Sequence, residues 1–145
     1  VLDQLFSVKG TEGDPAKQIN FKGIRMEQTN RTFMKEYEPL LRSDWMIHRA
    51  GAIRFENAGD CSITDCELTN LGGNAIFFSG YNQNMTVRGN HIYGIGASAI
   101  CFVGLPSAVR SPSLNYTEFV PVKDMDIEKA LKPMNIHQSV WWMIT

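Results

Sequence analysis

The sequence predicts an all-β solenoid, a parallel β-helix with about 23–24 residues per coil. Three observations carry that expectation. A small-Ile-x-Phe phrase occurs at Ala52-Ile53-Arg54-Phe55, Ala75-Ile76-Phe77-Phe78 and Ala99-Ile100-Cys101-Phe102, at offsets of 23 and then 24. Between the phrases, Ile63 to Leu68 maps onto Val87 to Ile92, again offset by 24. Apolar residues within each phrase alternate, which is the period-two signature of a strand, and Gly, Asn and Asp fall where the chain has to turn.

Each element follows from these offsets. Leu2 to Val8 is predicted to be the strand that leads Ile53 by one coil. Ile19 to Glu27 places Phe21, Ile24 and Met26 as Ile63, Cys66 and Leu68 are placed, offset by 42. One coil of 24 leaves about 18 residues over, which are assigned to a loop excursion at 30–49. Two full coils then run from Gly51 to Gly104. No coil can bury its apolar side chains alone, so the coils must stack, with Ile53, Ile76 and Ile100 inside and Phe55, Phe78 and Phe102 in an aromatic column beside them. Cys66 and Asn90 share a bend, where an Asn can hydrogen-bond turn backbone from within.

After Gly104 the pattern lapses. Residues 105–145 read as a loop with four prolines, a short helix from Asp124 to Leu131 stopped by Pro133, and a tail strand from Asn135 to Ile144. The coils (1–104) and this remainder are the two parts of the chain. Unless the tail folds back as a cap, the column has an open end, and self-association through that C-terminal end is expected. The chain opens at Val1 and closes on "WWMIT", and reads as a piece of something longer.

Composition excludes some classes of partner. The 14 basic and 15 acidic side chains form no basic patch, so no nucleic acid is expected. No run of 18 apolar residues occurs, so no membrane-spanning helix is expected. Cys61, Cys66 and Cys101 are odd in number, and Cys61-x4-Cys66 is not a zinc spacing; neither metal nor cofactor is expected.

Chemistry on such a scaffold belongs to outward side chains. One outward ladder holds Arg54, Phe77 and Cys101, followed by Glu56, Ser79 and Val103. Phe77 either stacks on a sugar ring or lies beneath the excursion or the loop after Gly104. A second ladder holds Arg25, Glu67 and His91, with Glu27, Thr69 and Tyr93 two positions on. Glycosidases need two carboxylates about 5–9.5 Å apart, and Glu27 and Glu67 are the pair that ladder geometry could bring to such a spacing; surface charge pairing with Arg25 is the competing account. Glu27, Glu67 and His91 are thus the catalytic candidates. "SDWMIHR" puts Asp44, Trp45, His48 and Arg49 in a displayed loop and, with Phe77 and Tyr93, supplies the substrate-binding candidates. The same loop could instead dock through Trp45 and Ile47.

"DWMIHRAGAIRFENAGDCSITDCELTNLGGNAIFFSGYNQNMTVRG" and "IGASAICFVG" resemble right-handed parallel β-helix proteins of the pectate-lyase-like superfamily. Within it they look most like secreted bacterial proteins near glycoside hydrolase family one hundred and forty-one. The resemblance runs from about Leu5 to Tyr116. It implies hydrolysis of glycosidic bonds in a complex polysaccharide or oligosaccharide by a secreted or periplasmic protein several times longer, with the catalytic acids in later coils. It carries no catalytic carboxylate onto a numbered position here. A non-catalytic glycan-binding or structural module, using Trp45, Phe77, Tyr81 and Tyr93 as platforms, is the alternative. A polysaccharide lyase is the third reading, for which Arg54 and Arg88 stand on different strands.

Overall fold

The computed structural model describes residues 1–35 and 46–104, with backbone alone for Met46 and for the strand residues 38–39, 114–115 and 118–119. Three parallel sheets wrap one column. Sheet A is formed by β1 (Phe6–Lys9), β7 (Ile53–Gly59), β10 (Ile76–Gln83) and β13 (Ile100–Val103), with β2 (Ala16–Lys17) alongside the end of β7. Sheet B is β3 (Asn20–Lys22), β8 (Ser62–Thr64) and β11 (Thr86–Arg88). Sheet C is β4 (Arg25–Glu27), β9 (Glu67–Leu71) and β12 (His91–Ile95). Each coil passes through A, B and C in turn and then stacks on the previous one.

The repeat in the sequence is the register of the sheets. Ile53, Ile76 and Ile100 are paired neighbours, as are Phe55, Phe78 and Phe102. The change of offset from 23 to 24 has a local cause, a one-residue bulge between Ser79 and Asn82 that moves the pairing from Glu56–Ser79 to Ala58–Asn82. The faint first coil is confirmed by Phe6 against Ile53, Phe21 against Ile63 and Met26 against Leu68. It carries a five-residue insertion the offsets did not reveal: Lys9 pairs with Glu56, yet Ala16 is the partner of Ala58, so seven steps on one strand match two on the other.

The column is filled as the ladders require. Ile53, Phe55, Leu68, Ala75 and Ile76 are fully buried. The Phe55 and Phe78 rings stack at 5.3 Å and the Phe78 and Phe102 rings at 5.1 Å, while Phe21 meets Phe55 edge-on at 6.2 Å. Among the described residues, exposure rises toward both ends of the column, to 39% at Phe6 and 46% at Phe102.

Three corners per coil turn the chain, each through one residue in the left-handed region. The corner before sheet B uses Gln18, Asp60 and Asn84; the next uses Gly23, Asp65 and Gly89; the one closing sheet C uses Gln28, Asn70 and Gly94, with φ between 50° and 66° throughout. Gly, Asn and Asp occupy these places in the second and third coils because they tolerate that conformation. Inward Asn side chains hold the coils together at bends. Asn90 donates Nδ2 to the Ile63 carbonyl at 2.8 Å and accepts the Cys66 N–H at 2.9 Å. Asn74 and Asn82 bind backbone across coils in the same way.

Of the excursion at 30–49, β5 (Glu38–Pro39) and β6 (Met46–Ile47) pair antiparallel. Beyond Gly104, β14 (Leu114–Asn115) and β15 (Glu118–Phe119) form a short antiparallel pair. The expected helix at 124–131 and tail strand at 135–144 lie outside the described residues.

Candidate functional site

Two of the three outer faces carry the predicted site residues, and they differ. The outer face of sheet A presents Ser7, Arg54, Phe77 and Cys101 in one ladder and Lys9, Glu56, Ser79 and Val103 in the next. Most of it is covered. Phe77 is 0% exposed and Cys101 6%, because Ile47 at the end of β6 packs on both together with Val103. Arg49 Nη1 donates to Ser79 Oγ at 2.9 Å and toward the Val103 carbonyl at 3.4 Å. Asn74 Nδ2 donates to the carbonyls of His48 and Ala50 at 3.0 and 2.8 Å. Residues 47–50 are therefore stitched over the sheet by packing and by hydrogen bonds.

This corrects part of the predicted binding set. Phe77 offers no platform to a sugar, since its ring is consumed by the cover. Arg49 spends its guanidinium on that cover, and His48 contributes its carbonyl to the same seam. Asp44 and Trp45 lie outside the described residues. At the edge of the cover, Arg54 pairs with Glu56, which also meets Lys9 at 3.1 Å.

The outer face of sheet C is open and polar. The ladder Arg25–Glu67–His91 is in register, as is Glu27–Thr69–Tyr93. Arg25 Nη2 donates to Glu27 Oε2 at 3.0 Å, and its Nε lies 3.8 Å from Glu67 Oε2. The hydrogen bond to Glu27, then the charges of Glu27 and Glu67, push the Arg25 guanidinium above its ordinary value. Tyr93 donates its hydroxyl to Glu67 Oε1 at 2.6 Å, and its ring, 42% exposed, tilts against that of His91 at 4.5 Å. Glu27, Glu67, His91 and Tyr93 are thus brought together, as the offsets implied. The two carboxylates, however, converge on one guanidinium, which is the surface charge pairing with Arg25 more than the acid and base of a glycosidase facing each other across a gap.

Where sheet C ends, the corner opens into a groove of about 530 Å³ lined by Thr29, Arg31, Phe33, Asn70, Gly94 and Gly96, among others. Gly72 and Gly96 allow the backbones to close up beneath it: a side chain on Gly72 would meet the Asn30 carbonyl at 2.3 Å, and one on Gly96 the Gly72 carbonyl at 2.5 Å. Thr29 Oγ1 accepts the Gly72 N–H at 3.0 Å and the Thr32 N–H reaches the Gly72 carbonyl at 3.1 Å, so the start of the excursion forms one wall. Phe33, 80% exposed, stands at the rim. Sequence reasoning missed this groove, although the repeated Leu-Gly and Ile-Gly closes of the coils mark its floor.

Residues 40–109 match the family model described as the right-handed β-helix region. No curated protein and no solved structure matches the chain. The β-helix accounts for the ladders and corners, and among the described residues no three His, Cys, Asp or Glu side chains converge as a metal site would require.

Proposed function

We propose that this chain is the glycan-contacting segment of a carbohydrate-active β-helix protein of glycoside hydrolase type, and that sheet C with its corner groove is the contacting face. The observation that carries this reading is the Tyr93 ring, exposed on the outer face of a parallel sheet with its hydroxyl donated to Glu67, beside Glu27, Arg25 and His91. Sugars are bound by such pairings of an aromatic face with planar, charged hydrogen-bonding groups, and Phe33 across the corner supplies a second ring. Glu27 and Glu67 serve binding in this reading. The hydrolase assignment rests on the resemblance, and with it goes a secreted or periplasmic location.

The test is titration of the protein with neutral and acidic oligosaccharides, followed by calorimetry and by assay of reducing ends. Binding that falls about tenfold or more in Tyr93→Ala is expected, with no reducing ends released. Release of reducing ends that is lost in both Glu27→Gln and Glu67→Gln would show that this face is catalytic. Absence of binding across the panel would remove the glycan reading. Association of copies through the C-terminal end belongs to the same proposal, and sedimentation at rising concentration tests it.

A further inference from the structure

Thr69 is an anomaly on the open face. It lies in the outward ladder between Glu27 and Tyr93, yet it is 0% exposed, and its Oγ1 is buried without a hydrogen-bond partner among the described residues. Its neighbours explain the burial. Arg25 joins Glu27 to Glu67, and Tyr93 reaches diagonally to Glu67, so a belt of polar contacts spans three strands around the shorter side chain of Thr69. A buried hydroxyl with no partner is costly, and valine would fill the same volume without that cost. A hydroxyl left without a partner beneath an exposed tyrosine is a group that a ligand could satisfy.

We infer that Thr69, Glu67 and Tyr93 form a sugar-hydroxyl subsite that takes a vicinal diol of a neutral sugar. This rests on the glycan reading above and deepens it. One hydroxyl of the diol takes the place of the Tyr93 hydroxyl at Glu67 and the adjacent hydroxyl reaches Thr69 Oγ1. Tyr93 swings off Glu67 and its ring lies against the sugar. The Glu67 carboxylate and the Thr69 hydroxyl, two residues apart on one face of β9, make two separate partners for neighbouring hydroxyls, which a diol offers and an isolated hydroxyl does not. Uronic acids are disfavoured in the subsite, because a ligand carboxylate would be set beside Glu27 and Glu67, whose shared counter-charge, Arg25, is already engaged by both.

The experiment compares wild type, Thr69→Val and Tyr93→Phe. Probes are gluco-, xylo-, manno- and galacto-oligosaccharides and an oligogalacturonate of equal length, followed by calorimetry and by the chemical shifts of residue 69. The inference expects a neutral oligosaccharide to bind at least about tenfold tighter than the oligogalacturonate. It expects Thr69→Val to weaken that binding about tenfold or more while raising the urea midpoint. Tyr93→Phe, which keeps the ring and frees Glu67, should bind at least as tightly as wild type. If Thr69→Val binds as wild type does, or the oligogalacturonate binds as well as the neutral probes, the subsite is refuted while the glycan reading stands. If no probe binds any of the three proteins, both fall. A lowered urea midpoint in Thr69→Val with unchanged affinity would make Thr69 a packing residue only.

Discussion

Sheets A and C are built from the same coils, and their outer ladders look equally available in the sequence. One is roofed by residues 47–50 and the other stands open. Phe77 on sheet A and Tyr93 on sheet C are both outward aromatic residues, yet the first is 0% and the second 42% exposed. The difference teaches that on a solenoid the direction of a side chain and its accessibility are separate questions. Register settles the first. What the excursion covers settles the second, and that in turn decides which face can meet a ligand.

The largest expected effect breaks the comparison at its two aromatic residues. Phe77→Ala should cost about 3–5 kcal/mol in urea denaturation, as a core phenylalanine does, whereas Tyr93→Ala should cost about 1 kcal/mol. Near-equal losses would mean that the two faces are alike. Next is Asn74→Ala, which removes three hydrogen bonds, two to the carbonyls of His48 and Ala50 and one from the Ser98 N–H. About 2–3 kcal/mol should be lost, and hydrogen exchange of β10 should quicken more than that of β9, because the roof loosens over sheet A alone.

How far the sequence reveals these faces depends on which contacts are periodic. The ladders Ile53–Ile76–Ile100 and Arg25–Glu67–His91 are fixed by backbone register, so offsets of 23, 24 and 42 were enough to place them. The Asn90 bend was legible for the same reason. The diagonal reach of Tyr93 to Glu67 depends on rotamers, and neither it nor the burial of Thr69 has a periodic signature. The roof over Phe77 comes from an aperiodic insertion, so the sequence left two readings open and favoured neither by spacing. The five extra residues after Lys9 were hidden because the weak first coil could be aligned on its later strands alone.

Smaller effects sharpen the comparison at the corners. Gln28 has φ 64° where the equivalent residues are Asn70 and Gly94. Gln28→Gly should raise stability by about 0.5–1 kcal/mol, the relief of the left-handed strain less the entropy glycine loses on folding, and should leave sheet A unchanged in hydrogen exchange. The smallest effect is one of pH. Hydrogen bonds from Lys35 and then Asn30 hold the Asp3 carboxyl below its ordinary value of 3.8. A depressed folded value means that this clamp contributes fully above the ordinary carboxylate range and is lost as pH falls through the lowered one. Amide exchange at Asn30, whose side chain also holds the Val1 carbonyl at 2.9 Å, should speed up in that acid window and not before. Asp3→Asn should flatten the response.

The claim on which the rest depends is that sheet A is roofed and sheet C is not, and native thiol labelling measures it most directly. Cys101 lies in the outer ladder of sheet A at 6% exposure, and burial pushes its thiol above the ordinary range, as it does that of Cys61 in the column. A cysteine placed by His91→Cys, on the exposed face of sheet C, should label at nearly the rate of an unfolded thiol. Cys101 should react roughly a hundredfold more slowly and be released by Ile47→Asp, while Cys61 and Cys66 stay protected. Labelling of Cys101 in the unmodified fold as fast as the thiol at position 91 would contradict the account.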